Sequence, residues 1–290
     1  MNKFAKYRRY IFGISFVFII IFWIDFSKIN HGLLKISIFD VGQGDAILIQ
    51  TPNNQQILID GGPSKSIIDK LGDELPFWDR NIDMLISTHP HADHLSGLLE
   101  VTDRYSIDQI MTLDIDYDSG EFEAWKDYLD EFSGDIIYAN FGQEIQADDF
   151  VMKIIFPSKE YLQIKQDNIN NLSIILKIQY NDFSMLFTGD AECEEQIQIL
   201  DQDINIDVLK VPHQGSRDAG CEEFLKKTSP EKAIISVAQD NQFGHPHTEH
   251  LELLHKLIPD RPDQEIYRTD KNGDIHIYSD KNKYWIETDK

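Results

Sequence analysis

The chain of 290 residues carries 50 acidic against 27 basic side chains, a formal net charge of −23 at pH 7, with 41% hydrophobic and 11% aromatic residues. That apolar fraction is enough for a large core and excludes a disordered acidic tail. The charge disfavours generic binding to phosphate backbones except where metal ions or a local basic patch reverse the field. Only two cysteines occur, Cys193 and Cys221, which excludes a disulfide-stapled mini-domain and a Cys-rich zinc module. Two free buried thiols are expected rather than a bridge.

Residues 1–30 form a signal-like segment. Lys3, Lys6, Arg8 and Arg9 precede an apolar run from Tyr10 to Ile24, closed by Asp25. The run is short for a bilayer span, but no small-x-small cleavage pattern follows it, so a retained single-pass membrane anchor is expected over a cleaved, secreted form. Basic residues before the run predict the N-terminus inside and residues 31–290, the catalytic domain, outside the cell membrane.

Short strands are expected at Lys35–Phe39, Ala46–Gln50 and Gln56–Ile59, separated by Gly- and Asn-containing turns. A helix over Ser64–Leu71 leads to a strand over Ile82–Ser87 and a histidine-rich turn before Leu95–Leu99. An amphipathic helix, Glu121–Phe132, precedes strands near Ile136, Val151–Phe156, Ile174–Gln179 and Phe183–Phe187. Helices fit Glu192–Leu200, Cys221–Lys227 and Thr248–Leu257, alternating with strands at Ile206–Lys210 and Ala233–Val237. A last strand pair, Glu265–Arg268 and Ile275–Tyr278, is read as joined by the turn Asp270-Lys271-Asn272-Gly273. Strands in hairpin groups interrupted by helices predict an α/β sandwich, two sheets covered by helices, rather than a doubly wound sheet.

The chemistry concentrates in His89-Pro90-His91-Ala92-Asp93-His94, directly after a strand. His89 and His91, two apart in an extended turn, are placed to bind one cation; Asp93 and His94, at the start of the following helix, reach a second. Imidazole and carboxylate donors suit zinc or manganese. Two neighbouring cations repel each other and need a bridging anion from elsewhere. Asp190, at the strand end Thr188-Gly189-Asp190, fits, with a helix N-cap as the competing role. His213, in Pro212-His213-Gln214-Gly215-Ser216, and His245, in Gly244-His245-Pro246, also sit just past strands. His31, His247, His250, His255 and His276 read as ordinary surface residues.

These pieces resemble the metallo-β-lactamase superfamily, and more closely the C-terminal hydrolase domain of the ComEC competence DNA-uptake proteins. The likeness rests on the His89 motif together with Asp40-Val41-Gly42-Gln43-Gly44-Asp45, Asp60-Gly61-Gly62, Asn171-Leu172-Ser173, Thr188-Gly189-Asp190, the His213 and His245 segments and Arg268-Thr269-Asp270. It implies an αββα sandwich with a dinuclear site at one edge. His89 and His91 would hold one metal, Asp93, His94 and His245 the other, with Asp190 bridging. The superfamily often supplies a further histidine before the strand at Ile174; Asn168–Asn171 has none, and His213 is assigned to that vacancy. Asp60 would orient a ligand imidazole. The transporter relatives carry a multi-helix membrane domain, and one apolar segment cannot make a DNA channel.

The expected function is a metal-dependent hydrolase, a phosphodiesterase or nuclease using a hydroxide activated by two divalent ions. Asp93 and His213 are the catalytic candidates, and His213 is the general acid if it is not a ligand. Ser216 is a candidate phosphate contact. The substrate would be a phosphodiester such as single-stranded DNA or a smaller cell-envelope ester. The alternatives are hydrolysis of a lactam, lactone or thioester, and a non-catalytic membrane-anchored metal-binding module.

Overall fold

In a computed structural model, residues 28, 32–163, 169–258 and 265–290 are described. The expected anchor falls almost wholly outside these residues. Among the described residues no helix is long and apolar enough to cross a membrane.

The strands are β1 (Leu34–Ile38), β2 (Ala46–Gln50), β3 (Gln56–Gly61), β4 (Asn81–Ile86), β5 (Ser106–Thr112), β6 (Asp135–Tyr138), β7 (Glu144–Ala147), β8 (Phe150–Phe156), β9 (Ile175–Tyr180), β10 (Phe183–Phe187), β11 (Val208–Lys210), β12 (Lys232–Ile235), β13 (Glu265–Arg268), β14 (Ile275–Ser279) and β15 (Tyr284–Thr288). Among the described residues they form an eight-stranded sheet, ordered β15-β14-β1-β2-β3-β4-β5-β6, and a seven-stranded sheet, ordered β13-β12-β11-β10-β9-β8-β7. Each sheet combines antiparallel strands with a parallel run: β3 to β6 in the first and β10 to β13 in the second.

The sequence dictates this layering. Central strands such as Ala46-Ile47-Leu48-Ile49 are apolar at every position because both faces are covered. Ile47 and Ile49 point into the core between the sheets, with Ile36, Ile59, Ile86, Leu176 and Met185. Ala46 and Leu48 point the other way, under the helices, with Leu85, Leu95, Leu98 and Trp125. The second sheet repeats the arrangement, its outer face packing Leu209, Val211, Phe224, Ile235 and Leu254.

Three expectations need correction. The final pair is not a hairpin: β13 lies parallel to β12 in one sheet, and β14 lies antiparallel to β1 in the other. Thr269–Asn272 is a helical turn crossing between the sheets; buried Thr269 holds it by accepting from the Val237 N–H and donating to the Val237 carbonyl through Oγ1. Edge strands β7 and β15 were not expected: they are short, and neither has a fully buried residue. Cys193 and Cys221 are free, as expected, but only half-buried.

One close approach positions the site. The helix Ala92–Thr102 lies flush on the end of β3: a Cβ at Gly97 would meet the Gly61 carbonyl oxygen at 1.8 Å, and one at Gly61 would meet the Leu98 nitrogen at 2.3 Å. Gly97 N–H donates to the Gly62 carbonyl at 2.9 Å. Two glycines therefore bring the helix carrying His94 against the strand end carrying Asp60.

Candidate metal centre

The site lies at the C-terminal ends of β3, β4, β10 and β11, where the chain leaves the sheets for Asp60, His89, Asp190 and His213. Strand ends at a sheet edge free polar side chains from ladder packing, and several backbones here adopt the left-handed region. Asp60 has φ 56°, His213 φ 45° and Gln214 φ 50°. For non-glycine residues each such conformation costs on the order of 1–3 kcal/mol and tends to cluster at functional sites.

Asp60 is wholly buried and anchors the cluster. It accepts from the Thr88 N–H at 2.9 Å, the Thr88 hydroxyl at 2.7 Å, and His94 Nδ1–H at 2.8 Å. Burial pushes its carboxyl up, against the His94 imidazole and the Thr88 donors. Having given its single proton to Asp60, the Thr88 hydroxyl accepts from His89 Nδ1–H at 3.1 Å. In their neutral forms both rings are thereby set as tautomers whose lone pair sits on Nε2.

Those Nε2 atoms face Asp190. His94 Nε2 lies 3.3 Å from Asp190 Oδ1, and His89 Nε2 lies 3.8 Å from Asp190 Oδ2. His89 Nε2, His94 Nε2 and Asp190 Oδ1 are buried and have no hydrogen-bond partner. Buried polar atoms converging without partners carry a large desolvation cost, which divalent cations held beside Asp190 would relieve. The donor set therefore fits a metal ion, and these three residues also group as candidate ligands by distance.

The remaining expected residues surround this nucleus. His213 Nε2 is 3.8 Å from Asp190 Oδ2, and its Nδ1 is 3.4 Å from Glu192 Oε1. The His91 ring lies 4.9 Å from that of His89. Asp93 Oδ2 is 3.8 Å from His94 Nε2, and the His245 ring is 5.6 Å from that of His213. All seven expected residues, His89, His91, Asp93, His94, Asp190, His213 and His245, thus share one cluster. Asp190 is not a helix cap: the helix Cys193–Gln198 is capped by Glu192, in a reciprocal capping box with Glu195.

Electrostatics divides the cluster. Burial, with the charge of His94 beside it, holds His89 well below the ordinary imidazole range. Burial also opposes charge on His94, but Asp190, Asp60 and Asp93 outweigh it and lift that ring well above its usual value. Burial would raise Asp190, yet the imidazoles of His94, His89 and His213 hold it far below the usual carboxylate range. His245 is lowered to about 4, by burial first and by His213 second.

Several supporting residues were not singled out from sequence. Thr88 and Glu192 orient ligand candidates. Lys210, fully buried, pairs with Asp45 at 2.8 Å and donates to the Val211 carbonyl at 3.0 Å, tying the β1–β2 loop to the end of β11. Asp45, Asp60 and His94 also lie close enough to form a second ligand group, but these hydrogen bonds and the Lys210 ammonium already engage both carboxylates. His250, expected at the surface, is buried with neither ring nitrogen hydrogen-bonded. His276 is mostly buried as well, with Nδ1 2.9 Å from Ser37 Oγ.

A family model described as the metallo-beta-lactamase superfamily matches residues 39–239, and the chain belongs to that superfamily, with the divalent metal ions its fold implies. It is a metal-dependent hydrolase of that superfamily. It is 28% identical over 268 residues to ComE operon protein 3 of Bacillus subtilis, covering 86% of this chain and 33% of that protein. It is 28% identical over 237 residues to Recombination protein 2 of Haemophilus influenzae, covering 80% of this chain and 28% of that protein. The chain thus spans about a third of the length of these curated relatives. Among solved structures, the metallo-beta-lactamase fold protein YhfI from Bacillus subtilis matches with a TM-score of 0.54 at 14% identity, covering 87% of this chain and 99% of that one, a likeness of fold alone.

Proposed function

We propose that this chain is a phosphodiesterase or nuclease working with two divalent ions, zinc or manganese. The observation that carries the reading is the convergence of His89 Nε2, His94 Nε2 and an Asp190 oxygen, all buried and unpartnered, with His91, Asp93, His213 and His245 gathered around them. When bound, the ions would activate water and offset charge developing on a phosphoryl oxygen.

The chain's own residues divide the remaining work. His89, His91 and His213 would hold one ion, Asp93, His94 and His245 the other, and Asp190 would serve both. Asp60 and Thr88 hold the His94 and His89 rings in register through Nδ1, leaving Nε2 toward the site. His213, partly exposed beside Glu192, would ligate the first ion or, if it does not, protonate the leaving oxygen. Ser216 Oγ, buried without a partner, offers a hydroxyl to a substrate oxygen. Likeness to the competence proteins supports a nucleic-acid phosphodiester, single-stranded DNA first, and the segment 1–30 would hold the hydrolase outside the cell membrane.

The test is turnover of a single-stranded oligonucleotide and of bis(4-nitrophenyl) phosphate by purified protein. Chelation should abolish turnover, and zinc or manganese should restore it. Failure on both substrates, or hydrolysis confined to lactams, lactones or thioesters, would contradict the reading. Retention on membranes after an alkaline carbonate wash checks the anchor, and release would overturn it.

A further inference from the structure

The turn between β1 and β2 brings Gln43 into contact with both later ligand-bearing loops, although its backbone lies at the end of the other sheet. The approach is built in: Gly44 has φ 129°, and a Cβ there would meet the Asp93 carbonyl oxygen at 1.9 Å. On the opposite side, a Cβ at Gly215 would meet Pro246 Cβ at 2.6 Å, so the turn holding Gln214 is pressed onto the His245 segment. Gln214 is buried and sits in the left-handed region.

The side chains between these contacts form a chain of hydrogen bonds. The Ala238 N–H donates to Gln43 Oε1 at 3.2 Å, Gln43 Nε2 donates to Gln214 Oε1 at 2.8 Å, and Gln214 Nε2 donates to Asp93 Oδ2 at 3.2 Å. Its polarity is fixed at both ends. A backbone N–H can only donate and a carboxylate can only accept, so one pair of amide orientations satisfies all three links. The same Gln43 nitrogen lies 3.4 Å from His245 Nδ1.

We propose that Gln43 and Gln214 are positioning residues acting in series: Gln43 sets the orientation of the Gln214 amide, which holds Asp93 Oδ2 and leaves Oδ1 to a divalent cation. This rests on the two-ion reading above. The relay takes a role that buried carboxylates fill on the other side of the site, where Asp60 fixes His94. It ties the geometry of the second ion to the β1–β2 turn, about 50 residues away in sequence from the motif it serves.

The test is zinc affinity, by competition with a chromogenic chelator, for the full chain and the variants Gln43→Met, Gln214→Met and the pair combined. Outer contacts of this kind commonly carry about 10–100-fold in metal affinity. Gln214→Met should weaken the second zinc by that factor without moving the first, and Gln43→Met should weaken it less. The double variant should be no worse than Gln214→Met alone, as a series relay requires. Gln43→Glu should cost more than Gln43→Met, because a second acceptor facing Gln214 turns that amide and points its oxygen at Asp93. Should Gln214→Met fail to fold, the two Gln43 variants, at a half-exposed turn, decide alone. Wild-type affinity in the folded variants, additive losses, or Gln43→Glu no worse than Gln43→Met would each overturn the relay. Normal zinc binding without phosphodiester turnover would instead remove the proposed function and leave the relay standing.

Discussion

The two sides of the metal centre are built differently. On one side His89, His94, Asp60 and Asp190 are fully buried, joined by short hydrogen bonds through Thr88 and oriented by residues at the ends of regular elements. On the other, His91, Asp93, His213 and His245 are partly exposed; Asp93 and His245 face neutral glutamine amides, and His213 faces the Glu192 carboxylate. The buried side is preorganised before any ion arrives, because Thr88 and Asp60 hold the His89 and His94 rings through Nδ1. The open side is the one more accessible to solvent. A centre that must bind metal firmly and still admit a reacting molecule needs both constructions.

Breaking the buried side should cost most. Asp190→Asn removes the anion between the proposed ions and is expected to lose several kcal/mol of transition-state stabilisation, about a thousandfold or more in kcat/KM; chelation of the wild-type protein should match it. Asp60→Asn leaves the ligands in place but disturbs both ring tautomers, with an expected loss of about 10–100-fold in metal affinity. His245→Ala, on the open side, should retain the first ion and lose the second, which metal stoichiometry alongside kinetics would show. Equal losses for Asp190→Asn and His245→Ala would erase the distinction between the sides.

Two further changes probe the scaffold. Gly97→Ala forces the helix of His94 off β3 and should destabilise the fold by about 1–3 kcal/mol, read by denaturant unfolding, with metal affinity falling as His94 leaves Asp60. His250 lies away from the centre, buried and without a hydrogen bond, and burial, with His247 second, lowers it to about 4. The folded chain therefore keeps it neutral, while the unfolded chain takes up a proton as pH falls below about 6.5. Stability is lost between about 6.5 and 4, by about 3 kcal/mol at most. His250→Leu should flatten that part of the pH–stability curve.

Legibility in sequence followed range. The His89–His94 cluster was readable because its members are neighbours in the chain, and Asp190, His213 and His245 because each follows a strand and shares one edge once the fold family is recognised. Gln43 and Gln214 lay inside motifs but gave no sign of their partners: a glutamine's role depends on which loop its amide meets, and that is set by Gly44 and Gly215 approaching other backbones. His250 carried a signal that went unused. It falls four residues before Leu254, on the same helical face, and both are buried. The β13–β14 link misled because Asp-Lys-Asn-Gly suits a hairpin locally, whereas Thr269 ties the turn to Val237 at the end of the neighbouring strand β12.

The most direct test of the two-ion centre is electron paramagnetic resonance of the chain titrated with manganese(II). Two equivalents bound with a spin-coupled signal are expected, since a carboxylate between neighbouring ions transmits exchange. A six-line signal from isolated manganese at all loadings, or less than one equivalent bound, would contradict the account.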